Sequence, residues 1–158
     1  MSDGEHAPQP PTVLQAGLRN TVAVIGGTIA GGVVNMGIII VGATLLPPPP
    51  GVDVNDIETI KAHIGEYSFV QLMNPFVAHA AGTLVAAYLA SKIGITRKFI
   101  LAMISGCLFL LGGAMAVSMI PAPMWFNILD LTVAYLPLAM LGGWIATGGC
   151  CRGAACSR

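Results

Sequence analysis

The chain has 158 residues, 55% of them hydrophobic and 9% charged, and its mean hydropathy is +0.80. A soluble domain of this size carries about a quarter charged residues, so the composition excludes an ordinary soluble globular domain and indicates an integral membrane protein. Seven Lys and Arg balance seven Asp and Glu, which excludes the basic surface needed to read a nucleic-acid backbone.

Residues 1–19 are polar and carry Pro8, Pro10 and Pro11; they read as a flexible cytoplasmic tail. Crossing a hydrocarbon core takes about 20 mostly apolar residues in a helix, and residues 21–46 meet that length without a charge. This run is too long for the core of a secretory signal, so it is read as a retained first span.

Residues 47–74 form an outer segment. Pro47–Pro50 take the chain out of the membrane as a stiff polyproline turn, and Asp53 or Asn55 then caps a short amphipathic helix. Ile57, Ile60 and Ile64 share one face of that helix, which lies on the membrane surface or packs across the bundle mouth. Asn74 before Pro75 has the form of an N-cap followed by proline at the first helical position. On that reading the second span covers 75–92. On the other, Tyr67–Met73 extend the helix outward and Pro75 is a kink.

The third and fourth spans are 98–120 and 125–147, followed by a cytoplasmic tail, 148–158, that contains Cys150, Cys151 and Cys156. Residues 20–147 thus form a single all-α transmembrane domain. Its simplest architecture is an antiparallel four-helix bundle with one short extramembrane helix.

Basic residues near a span tend to stay on the cytoplasmic side. Arg19, Lys92, Arg97, Lys98, Arg152 and Arg158 share one predicted side, with Lys61 alone on the other. Both termini are therefore expected in the cytoplasm, in a bacterial inner membrane. Trp125 and Trp144 are separated by about 28 Å of helix, which puts one indole at each interface.

Gly27 and Gly31 in span one form a GxxxG pair, and Ala78, Gly82, Ala86 and Ala90 form a small-residue ladder in span two. Span three offers Ala102 with Gly106 and Gly112 with Ala116. Small residues let helices approach closely in lipid, either within the chain or against a second copy or a partner membrane helix.

His79 and Asp130 are the ionisable side chains inside spans. Counted from the outer span ends, they lie about 6 and 9 Å deep. Asn127 shares a helical face with Asp130, and Asn35 follows Gly27 and Gly31 in four-residue steps. Three readings of the Asn35, His79, Asn127, Asp130 cluster stand: a buried clasp fixing helix order, a proton or solute site open to the outside, and metal or haem ligation. One histidine and one carboxylate fall short of a zinc set, so no metal or cofactor is expected. Tyr88 and Tyr135 read as interface or packing tyrosines rather than catalytic ones. Thr83, Ser105 and Ser118 are expected to bond back to their own helices, and Cys107 to be buried.

The Pro47–Gly51 exit, the His79–Leu84 run and the Pro121–Phe126 turn leading to Asp130 resemble those of small four-span bacterial membrane proteins of uncharacterised activity. That resemblance covers most of residues 20–147, implies the four-span architecture and implies no activity. The sequence contains no nucleophile elbow, phosphate loop or zinc-protease motif. The expected function is that of a non-enzymatic structural or accessory membrane component associating through small-residue faces; the alternative is a small solute or proton-coupled transporter or channel using His79 and Asp130.

Overall fold

A computed structural model describes residues 11–149, within which every regular element is helical. In chain order these are α1 (Val13–Leu45), α2 (Ile57–His63) with a 3-10 turn at Ile64–Glu66, α3 (Phe69–Ile93), α4 (Lys98–Met119), α5 (Met124–Val133) and α6 (Leu136–Ala146). Four stretches are long and apolar enough to cross a membrane: α1, α3, α4, and Met124–Ala146 formed by α5 and α6 together.

Helix α1 starts ahead of the expected residue 21 because Thr12 and Gln15 make a capping box. The Gln15 N–H donates to Thr12 Oγ1 at 3.3 Å, and the Thr12 N–H donates to Gln15 Oε1 at 3.0 Å. Residues 13–19, read as tail, are therefore helical; residues 1–10 and the cysteine tail from Cys150 lie outside the described residues. At the far end the Val52 N–H donates to Pro49 O at 3.2 Å, and Gly51 sits at φ 89°. Proline then glycine at the centre of this turn is the type II arrangement.

Pro75 lies inside α3, which begins after Ser68 in a second capping box with Gln71. The second span thus starts before 75, and Asn74 does not cap it. The Asn74 side chain instead donates to Ile39 O of α1 at 3.3 Å. The cap of α2 is Asp56, which accepts from the Glu58 N–H at 2.9 Å, while Asp53 accepts from the Asn55 N–H at 2.9 Å in the preceding turn. The fourth long stretch breaks at Ala134 and Tyr135. Pro137 explains the break: it has no N–H to donate to Val133 O, and its ring clashes with that carbonyl.

α3 is the central helix, packed against α1, α4 and α6. A Cβ on Gly27 would meet Ala86 O at 2.6 Å and Ala90 N at 3.0 Å; one on Gly31 would meet Gly82 and Ala86. The small faces of spans one and two therefore fill each other within one chain. On α4 the close approaches are Ala102 to Gly143, Gly106 to Ala139, and Gly113 to Tyr135; Gly112 faces open space.

The core is made of small side chains such as Ala78, Ala86, Ala87, Ala102 and Ala139, whereas Ile25, Ile29, Val33, Leu111, Met115, Ile128 and Met140 are exposed. This inverts the burial order of a water-soluble protein. It is the arrangement that packing without a hydrophobic drive between helices requires.

At the end opposite α2, Asn20 of α1 holds the α3–α4 turn. Its Oδ1 accepts from the Ile95 N–H at 3.0 Å and the Thr96 N–H at 3.4 Å, and its Nδ2 donates to Thr96 Oγ1 at 2.6 Å. Asn20→Ala is expected to cost about 1–2 kcal/mol, partly exposed bonds being worth about 1 kcal/mol or less each. Thermal unfolding in detergent micelles measures this. Arg19, Lys92, Arg97 and Lys98 are all exposed at this same end.

Candidate binding site between the helices

At the α2 end the helices enclose a cavity of about 360 Å³. Its walls come from the end of α1 (Ile39, Ala43), the start of α3, the end of α4 (Val117, Ile120) and the start of α5 (Phe126). Ile60 and Ile64 of the α2 segment also line it, so of the two placements read for this helix it takes the one across the mouth. Tyr67 lines the same cavity. Burial raises the pKa of its hydroxyl above the ordinary phenol value, so it remains a neutral donor.

His79 and Asp130 also line this cavity. His79 Nδ1 lies 2.9 Å from Asp130 Oδ1 and 3.0 Å from Oδ2, and Tyr135 Oη donates to Oδ2 at 2.9 Å. The rings of His79 and Tyr135 stack with centroids 5.6 Å apart. Asp130 and Tyr135 are each 1% exposed, and among the described residues no Lys or Arg pairs with the carboxylate. A buried carboxylate is costly unless its acceptors are filled, and here an imidazole and a phenol fill both oxygens.

Tyr135 is more than the interface or packing tyrosine that its sequence context predicts. Residues i and i+5 of an uninterrupted helix do not share a face, and it is the break at Ala134 and Tyr135 that lets the phenol return to Asp130. Gly113 makes room for it, since a Cβ there would overlap the Tyr135 ring. The sequence signal for both was Pro137 and the Gly112–Gly113 pair.

The other two residues of the expected cluster are placed differently. Asn127 lines the cavity, but its Nδ2 donates to Ala122 O at 3.1 Å, and its Oδ1 is buried without a partner. Asn35 lies against Gly82 and bonds neither His79 nor Asp130; its Oδ1 is also unpartnered. Ser118 bonds back to Met115 O as expected, whereas the Thr83 and Ser105 hydroxyls are fully buried with no partner. Cys107 is exposed rather than buried, because it lies on the outward face of α4.

Among the described residues no three His, Cys, Asp or Glu side chains come together to hold a metal ion. The four apolar stretches and the inverted burial pattern indicate a multi-pass membrane protein with an internal, polar-ended cavity. No family model, curated protein or solved structure matches the chain.

Proposed function

We propose that the four long stretches span a bacterial inner membrane as an antiparallel bundle, both termini cytoplasmic, and that the chain is a non-enzymatic membrane protein binding a small solute in the cavity under α2. Lipid surrounds the exposed Ile, Leu and Met faces. The observation that carries the reading is His79, backed by Asp130 and Tyr135, lining an otherwise largely apolar cavity. That volume lies within the roughly 300–1,000 Å³ of small-molecule sites, which are mostly apolar with a few placed polar groups. The Gly27, Gly31 and Gly82 faces, which suggested association with other helices, are occupied within the chain, while Gly112 on α4 meets nothing within 4 Å; the cavity carries the present proposal.

The test is a thermal-shift screen of small apolar and amphipathic compounds against the full chain and Asp130→Asn in detergent. Compounds that raise the midpoint of the parent chain and not of the variant are expected. A panel with no such compound, or with equal shifts in both proteins, contradicts the reading.

A second reading, passage of a proton or solute, draws on Thr83 and Ser105. Thr83 lies one helical turn from His79 toward the opposite end of α3, and both hydroxyls are buried without a partner. Ionisable residues such as His79 inside a span mark ion and solute pathways, and the unpartnered hydroxyls extend a polar line from it. In proteoliposomes, proton flux through the parent chain that is abolished by His79→Ala supports passage; equal flux in both refutes it.

A further inference from the structure

We infer that residues 52–66, with α2 at their centre, form a hinged lid that lifts off the cavity to admit its ligand. The admitting role rests on the binding reading above; the movement itself does not. The segment is held down by apolar side chains alone. No Cα of α2 lies within 8 Å of α1, α3, α4, α5 or α6. Among the described residues, every hydrogen bond of residues 52–66 ends on residues 49–67: the Val52 N–H donates to Pro49 O, Asp53 and Asp56 accept from within the segment, and the Tyr67 N–H donates to Ile64 O. The Lys61 ammonium pairs with Glu58 of the same helix at 2.8 Å. Lifting the segment therefore breaks no hydrogen bond or ion pair to the bundle. What it uncovers is apolar: Ile60 and Ile64 are half-buried and line the cavity with Val54, while no residue of α2 or its 3-10 turn is fully buried. Segments with so few buried apolar contacts open at low free energy, and lids are drawn from them.

The two ends of the segment meet at one place. Gln71 Nε2 donates to Pro47 O at 2.6 Å, and Gln71 is itself held in the capping box that starts α3. The chain leaves α1 and enters α3 at this common foot, so the part between swings as a flap about one edge. A glycine stands near each end: Gly51 at φ 89°, and Gly65, where a Cβ would meet nothing within 4 Å. A few such loop positions absorb the backbone rotation of a hinge. The prolines at 47–50 have fixed φ, which places the rotation on that side at Gly51. His79 and Asp130 line the cavity that the lid covers, and closure over a site shields its polar groups from water.

The experiment is pulsed electron paramagnetic resonance on the full chain in detergent micelles, without added compound, its own four cysteines replaced by alanine. Spin labels at Ala62→Cys on α2 and Ser118→Cys on α4, both exposed positions, report the lid; labels at Val70→Cys on α3 and Ser118→Cys report the bundle. Ile60→Ala with Ile64→Ala removes much of the apolar contact that holds the lid down. The double substitution is expected to raise the ratio of a longer to a shorter 62–118 separation about tenfold and to leave the 70–118 separation unchanged. A single 62–118 separation that the double substitution does not alter, or a shift shared by both pairs, overturns the lid. Either result leaves the binding reading to its thermal-shift screen, and an empty screen removes the admitting role while the movement stands.

Discussion

Asp130→Ala is expected to lower the stability of the chain in detergent by about 2–4 kcal/mol, read as the shift of its unfolding midpoint. The substitution leaves the part-buried His79 Nδ1–H and the buried Tyr135 hydroxyl without their acceptor. An orphaned buried donor costs about 1–3 kcal/mol, and interhelical bonds inside a bilayer fall toward the low end. Asp130→Asn keeps one carbonyl oxygen and is expected to lose about half as much. Tyr135→Phe removes one bond while retaining the ring stacked on His79, at about 1 kcal/mol. An Asp130→Ala chain as stable as Tyr135→Phe would show that the carboxylate does not organise the site.

Gly31→Ala is expected to destabilise by about 1–3 kcal/mol, the usual cost of overpacking, because its new methyl would run into Gly82 O, Ala86 Cβ and the Phe109 ring. A backbone carbonyl on a packed helix has little freedom to move, so α1 and α3 must separate. Gly32→Ala is the internal control. It meets nothing within 4 Å and is expected to be neutral or slightly stabilising, alanine being the better helix former. Equal effects of the two substitutions in the same unfolding assay would contradict the α1–α3 register.

The features legible in the sequence were those set by length and periodicity. Counting from span ends put His79 and Asp130 at similar depth, and the structure joins them. Four-residue steps put Gly27 and Gly31 on one face and Gly82 and Ala86 on another, and these faces meet. What escaped depends on breaks and on three-dimensional neighbours. Tyr135 reaches Asp130 only because Pro137 interrupts the helix, so a continuous-helix reading hides it. The spacing of Asn35 gave its face on α1, but not that Gly82 rather than His79 stands opposite. Asn127 was placed on the right face, while its bond to Ala122 O depends on how the chain bends before α5. The start of α1 rests on the Thr12–Gln15 cap, a local signal masked by the polar, proline-bearing residues before it.

The central claim is that the chain crosses the membrane with the cavity lined by His79 and Asp130 reached from the outer side. Cysteine accessibility at position 127 tests this most directly. Asn127→Cys is placed in a chain whose own four cysteines are replaced by alanine, and intact spheroplasts are treated with a small membrane-impermeant methanethiosulfonate. Modification from outside, slowed by a compound that binds the cavity, is the predicted result. Modification only after the membrane is opened, or none at all, would contradict the account.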